Sequence, residues 1–152
     1  MKHVPFFVAI ALLAVCADAS AASTPTTGQL EANLWQLTHA TNAQGRRIDA
    51  LFVRGRPPYT LRFQPGYMSE LNLCNHASSK YRLQGNQLIL EDGVVTTAAC
   101  VRAEVAEQER VAGTVVHARA KMTLALDGRG RLLLRNAEGD ALVFAPVPRT
   151  DE

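Results

Sequence analysis

The chain has 152 residues, with 16 basic and 14 acidic side chains and a formal net charge of +2 at neutral pH. Once an N-terminal signal and the last residues are set aside, about 125 residues remain, which is enough for one domain with one hydrophobic core. The basic residues are interspersed with acidic ones and form no stripe, so the sequence argues against a nucleic-acid partner.

The first residues have the anatomy of a secretory signal. Lys2 precedes an apolar run from Val4 to Cys16, and Ala19-Ser20-Ala21 supplies an A-x-A cleavage motif. The run is about 13 residues long, whereas a membrane span needs about 20, and no later stretch is apolar enough to cross a bilayer. The sequence therefore predicts a signal peptide over residues 1–21 and a periplasmic or secreted protein.

Cys16 offers an alternative to simple cleavage. It ends the segment Leu13-Ala14-Val15-Cys16, which resembles a bacterial lipoprotein box, in which the cysteine is acylated and becomes the new N-terminus. Such boxes require a small residue before the cysteine, and Val15 is bulky. We expect ordinary cleavage, with Cys16 as a candidate lipidation site and an outer-membrane lipoprotein as the alternative.

Cys74 and Cys100 are the cysteines that remain after processing. An even number of cysteines in an exported protein predicts one disulfide. His76 and His117 could join the two sulfurs in a zinc site, but the spacing fits none of the close ligand pairs of such sites. We therefore predict a disulfide and neither a metal nor a cofactor.

The signals along the chain divide it into short flanks and one domain. Residues 22–29 are predicted to be a short flexible linker, residues 30–147 the domain and residues 148–152 a tail. Within the domain, apolar residues recur at every second position, which is the pattern of half-buried strands. The predicted strands are 33–40, 59–64, 67–75, 80–83, 87–90, 121–126, 131–136 and 141–146.

One segment has helical spacing. Apolar residues recur at helical intervals from Cys100 to about Val116, with charged residues on the other faces. We expect one substantial helix there, with Thr96 or Thr97 supplying the N-terminal cap. Gly113 weakens its last turn, because a glycine in a helix interior costs about 1 kcal/mol relative to alanine.

The order of several short motifs resembles that of a known family. These motifs are Trp35 in the first strand, FQPG at 63–66, CN at 74–75, YRLQGNQLIL at 81–90, TTAAC at 96–100, Glu109 in the helix, LALDGRGRLLL at 124–134 and ALVF at 141–144. Together they resemble the META domain, also called the HslJ-like family, over about residues 30–146. Two details differ, since the chain has Glu70 to Leu73 where the family usually has small residues before CN, and it lacks the usual glycine after CN.

The resemblance implies a mainly β fold: a small antiparallel curled sheet or partial barrel with one α-helix packed on it. It also implies an exported or lipid-anchored bacterial envelope protein. Members of the family are linked to heat shock and to antibiotic tolerance, without an established chemical activity. The departures before and after CN imply a different local backbone and a different partner surface in that loop.

Cys74, Asn75 and His76 are adjacent and form the residue set of a thiol hydrolase. A catalytic cysteine normally meets its histidine across the fold, and a cysteine in a disulfide has no thiolate to offer. We therefore predict a protein that is not an enzyme, with a thiol hydrolase that uses Cys74 and His76 as an alternative.

The polar residues near this loop have simpler interpretations. Asn75 is expected to tie a turn through its side-chain amide, and His76 to lie solvated on a polar loop, so these two residues are the candidate loop surface. Glu109 on the helix is expected to make a surface ion pair.

The function expected from these observations is binding or structural. The partner is predicted to be another envelope protein or an apolar ligand, bound by a monomer with a role in stress or antibiotic tolerance. A scaffolding lipoprotein anchored through Cys16 is the alternative.

Overall fold

Eight antiparallel strands form a closed barrel in which each strand pairs with its neighbours in the chain and the last pairs with the first. The computed structural model describes residues 22–149. The strands are β1 (Asn33–Thr41), β2 (Thr60–Gln64), β3 (Tyr67–Leu71), β4 (Ala77–Gln84), β5 (Gln87–Val95), β6 (Lys121–Leu126), β7 (Leu132–Arg135) and β8 (Ala141–Pro148). The helices are α1 (Thr27–Glu31) and α2 (Ala103–Val115), with a 3-10 turn over Asp49–Leu51. The predicted mainly β class is confirmed, and the sheet is closed.

The core follows from the alternation in the strands. Inward-facing residues of opposite strands fill the interior, and Trp35, Phe63 and Phe144 are almost completely buried there. Trp35 also donates its indole N–H to the carbonyl of Leu30, which satisfies the polar atom of this large side chain. These aromatic side chains therefore belong to the core.

Strand β3 is shorter than the predicted run 67–75 and ends at Leu71. Asn72 takes a positive φ of 66°, which asparagine tolerates better than most residues, and its amide donates to the carbonyl of Pro58 and to the hydroxyl of Thr60. The chain therefore leaves the sheet before it reaches Cys74.

Strands β4 and β5 are longer than predicted and pair tightly across a register shift between Ser79 and Tyr81. At Gly93 on β5, a Cβ atom would come within 2.4 Å of the Ser79 hydroxyl oxygen and within 2.5 Å of the Ser78 carbonyl oxygen. Only glycine permits this approach of the two backbones. The C-terminal half of β5, around Gly93, thus lies close against β4.

Helix α2 occupies most of the predicted helical segment, but its predicted cap is wrong. The N-cap residue is Arg102, whose side chain makes no capping bond. The hydroxyl of Thr96 bonds to Asn75 instead. Because β1, β3, β5 and β7 all run toward the same end of the antiparallel barrel, α2 and the loops after β1 and β3 share that end.

The flanking segments are part of the fold. Residues 22–29, predicted as a flexible linker, contain Ser23, which pairs with Leu126, and the start of α1, which is capped by Thr26. Arg149, predicted to lie in the tail, donates to the carbonyl of Glu31. Both flanking segments therefore make contacts with the domain. Within residues 22–149, every helix is too short or too polar to span a bilayer.

Candidate functional site

The predicted cysteine pair is joined at the α2 end of the barrel. Cys74, in the loop after β3, is linked to Cys100, just before α2, with 5.7 Å between the Cα atoms. Because both sulfurs are in the disulfide, Cys74 carries no thiolate. Cys74, Cys100 and Glu109 place potential ligand atoms within 4.8 Å of one another, but disulfide sulfurs are not the thiolates that a metal site requires.

Asn75 is a structural link between the loop and the segment before α2. It is 7% exposed, and its Oδ1 accepts hydrogen bonds from the Ala98 N–H (2.7 Å) and the Thr96 hydroxyl (3.0 Å). Its Nδ2 donates to the Ala98 carbonyl (3.3 Å) and to Oε1 of Glu109 (2.9 Å). The expected tie through the amide is therefore present, but the prediction that Asn75 belongs to an exposed surface is wrong.

The predicted surface ion pair of Glu109 is also wrong. The two oxygens of its carboxylate accept from the backbone N–H and the side-chain Nδ2 of Asn75. Among residues 22–149, no basic side chain forms an ion pair with Glu109. The cause is tertiary, because the fold places α2 beside a loop that lies 34 residues earlier in the chain.

His76 lies on the outer side of this loop and is exposed. Its backbone N–H donates to the Thr96 hydroxyl and its carbonyl accepts from the Thr96 N–H. In the described part of the chain, its imidazole makes no hydrogen bond to a carboxylate. The group that would orient a catalytic base is therefore missing from these contacts.

The structure also contains a buried carboxyl that sequence analysis noted only as a departure from the family. Glu70 faces inward on β3, is 8% exposed, and accepts a hydrogen bond on Oε2 from the hydroxyl of the fully buried Tyr59. Glu70 lies two residues after the buried Met68 on the same strand, so the two side chains share the inward face. That alternation is the signal from which Glu70 could have been predicted to be buried.

Burial controls the ionisation of this pair. Loss of hydration on burial raises the pKa of the Glu70 carboxyl to about 7. The nearby Glu109 carboxylate also raises this pKa, whereas the hydrogen bond from Tyr59 and the charge of His117 lower it. Burial and the adjacent Glu70 raise the pKa of Tyr59 well above its ordinary value. Tyr59 therefore stays protonated and donates the hydrogen bond.

Glu70 lies in a cleft of about 280 Å³ between the C-terminal half of β5 and the C-terminal end of α2. We call this cleft the Glu70 cleft. Apolar and small residues form most of it. Its lining residues are Glu70, Ala77, Ser79, Gly93, Val94, Val95, Gly113, Val116, His117 and Ala118. Val94 and Val95 are 76% and 59% exposed, which is unusual for side chains of this kind.

A larger hollow of about 440 Å³ lies beside the 3-10 turn and the start of α2. Its charged side chains include Arg102 and Glu104, which pair with each other at 2.5 Å. Since this hollow has no buried ionisable group, the Glu70 cleft is the stronger candidate site.

The buried carboxyl of Glu70 makes stability depend on pH. Its pKa rises on folding from the usual 4.5 to about 7, so the folded state holds the proton more tightly. The resulting stabilisation is complete below the unfolded pKa and is lost as pH rises through the folded pKa. We expect the unfolding free energy of the wild type, relative to Glu70→Gln, to fall by about 2 kcal/mol between about pH 5 and pH 7.5.

Chemical denaturation at the two pH values measures this difference. Glu138→Gln removes one negative charge from an exposed turn and serves as the control, for which no such fall is expected. Parallel pH profiles for the wild type and Glu70→Gln would show that the Glu70 pKa does not change on folding.

Fold and contacts define the class of this protein: a small disulfide-linked barrel of eight antiparallel strands with one helix across one end. The sequence model of the META domain family matches residues 28–148, and the chain belongs to that family. The disulfide, Asn75 and Glu109 explain structurally why CN, TTAAC and the helical glutamate occur together in this chain.

Two solved structures are similar to this fold. An NMR structure of a protein from Burkholderia xenovorans has a TM-score of 0.65 and 18% sequence identity, over 98% of this chain and 100% of that chain. A second NMR structure has a TM-score of 0.57 and 17% identity, over 80% of this chain and 94% of that chain. At these identities the similarity shows the fold alone. No curated protein matches the chain.

Proposed function

We propose that this META domain is a non-catalytic module of the bacterial envelope that works by binding and contributes to stress or antibiotic tolerance. The observation that carries the proposal is the contrast between two places at the same end of the barrel. The sulfur of Cys74 and the amide of Asn75 are engaged in structural bonds, whereas the Glu70 cleft is open and lined mostly by apolar atoms.

Two features support the envelope assignment. The signal anatomy of residues 1–21, which lie outside the described residues, and the disulfide both fit an oxidising compartment. A periplasmic protein is the form that we propose. A lipoprotein anchored through Cys16, also outside the described residues, is the alternative, and it would hold the same cleft near a membrane surface.

A thiol hydrolase that uses Cys74 and His76 is the competing function. It requires reduction of the disulfide and a group that orients the imidazole, and the contacts described above supply neither. Binding requires only an accessible surface of suitable shape, and the exposed Val95 at the rim of the cleft provides one.

Photo-crosslinking in intact cells tests the binding proposal. A benzophenone amino acid in place of Val95, at the rim of the Glu70 cleft, is expected to capture a discrete species in the envelope. The same amino acid in place of Arg129, in the exposed turn at the opposite end of the barrel, is the control and should capture none.

For the proposal to stand, crosslinking at Val95 must differ from crosslinking at Arg129. Identical labelling at both, or none at either, would contradict a binding role for this face. Separation of the same cells into periplasm and membranes distinguishes the free protein from the form anchored through Cys16.

A further inference from the structure

The Glu70 carboxyl is incompletely partnered. Oε2 accepts from Tyr59, while Oε1 has no hydrogen-bond partner among residues 22–149. Glu70 Oε1 is not sealed from solvent. Among the described residues, the fully buried side-chain atoms without a partner are Arg62 Nε and Gln108 Oε1. Glu70 Oε1 therefore remains accessible through the cleft. A buried carboxylate normally has a cation beside it, and in the described part of the chain no lysine or arginine reaches Glu70.

The charges that face Glu70 favour a cationic ligand. Tyr59 is a neutral donor, and Glu109 on α2 adds a second carboxylate that acts on Glu70 through space. His117, just after α2, acts in the opposite direction to Glu109, because it lowers the pKa of Glu70. The lining residues from β4 and β5 carry no charge. The site therefore attracts a cation and repels an anion.

The walls of the cleft suit a short apolar body. Val95, which shares the face of Ala77 and Glu70 in the strand register, and Val116 supply apolar surface around the carboxyl. The volume of about 280 Å³ lies just below the range of drug-sized ligand sites, roughly 300–1,000 Å³, so only a small ligand would fit. A small ligand with one charged end and one apolar end matches this arrangement.

Gly113 is the point at which the last turn of α2 lines the cleft. It lies inside α2, where glycine costs helix stability relative to alanine, and a Cβ atom at this position would meet nothing within 4 Å. Packing therefore does not require glycine here. A longer side chain at this position would start from the wall of the cleft, where the space beside Gly113 is open.

We propose that the Glu70 cleft binds a small primary amine with a short apolar body, and that the ammonium group of the ligand bonds to Glu70 Oε1. This inference rests on the proposed binding function and names the chemical class of its ligand. The ammonium supplies the missing cation, and the valine side chains cover the apolar body.

NMR titration of the mature, disulfide-bonded protein tests the inference. The probes are hexylamine, hexan-1-ol and hexanoate, which share a chain length and differ in charge. Hexylamine is expected to shift the signals of cleft residues and to bind more tightly than the other two. Because the pKa of Glu70 is about 7, its ionised fraction, and with it the affinity for hexylamine, should rise about tenfold from pH 6 to pH 8.

Two variants distinguish the effect of the Glu70 charge on binding from the effect of the room in the cleft. Glu70→Gln keeps the shape and an acceptor for Tyr59, so it should fold, lose the preference for hexylamine over hexan-1-ol, and lose the pH dependence. Gly113→Leu should weaken the binding of both molecules by narrowing the cleft, whereas Gly113→Ala, with a single added methyl group, is the matched helix control.

Equal affinity of the wild type for hexylamine and hexan-1-ol would overturn the cationic assignment while leaving an apolar binding site. Unchanged hexylamine binding by Glu70→Gln would overturn the role of Glu70. Failure of all three probes to bind would overturn the inference as a whole, and crosslinking at Val95 would still test the binding function independently.

Discussion

Cys100→Ser lowers the unfolding free energy by about 3.5 kcal/mol if the disulfide acts by restricting the unfolded chain. The expectation follows from the separation of 26 residues between Cys74 and Cys100. The link also fixes the segment before α2 to the loop after β3, so its loss allows the N-terminal end of the helix to move away from the barrel. Urea denaturation under oxidising conditions measures the change.

Two controls isolate the bond from the side chains. The double variant Cys74→Ser/Cys100→Ser should be about as unstable as the single variant, since both lack the same bond. In the presence of a reductant the wild type should lose stability toward the level of the variants. A Cys100→Ser protein as stable as the oxidised wild type would show that the link contributes nothing.

Asn75→Ala is expected to lower the unfolding free energy by about 3 kcal/mol, because it removes all four hydrogen bonds of a buried side-chain amide. The Ala98 N–H loses an acceptor, and the Glu109 carboxylate loses one of the two donors that it receives from Asn75. Thermal and urea denaturation measure the effect.

His76→Ala is the matched control, one residue further along the same loop. The exposed imidazole makes no hydrogen bond within residues 22–149, so the change should stay within about 0.5 kcal/mol of the wild type. Equal losses for Asn75→Ala and His76→Ala would contradict the role assigned to the amide. Abolition of a tolerance phenotype by His76→Ala, at unchanged stability, would favour the hydrolase alternative.

The two largest effects act on the same segment. Cys100 and Ala98 lie two residues apart, and one is held by the disulfide and the other by Asn75. Losses from Cys100→Ser and Asn75→Ala should therefore not add, because either change already loosens the segment that the other holds. Since α2 follows this segment and its far end lines the Glu70 cleft, the same contacts position the wall of the candidate site.

Local patterns in the sequence determined much of the barrel. Alternation over residues 121–126 and 141–146 predicted strands that the structure contains, because the side-chain period of two depends only on neighbouring residues. Short turns between the runs predicted hairpins in chain order, and the cysteine count predicted the disulfide. Each of these features is encoded within a few residues or by the composition of the chain.

Tertiary structure alone decided the closure of the barrel and the character of the site. The pairing of Trp35 with Pro146 joins the two ends of the domain, and no local pattern specifies such a contact. Whether a carboxylate is solvated or buried depends on which distant segments pack against it. For that reason Glu109, expected at the surface, bonds to Asn75, and Glu70 lies beside Tyr59 with a pKa near neutrality.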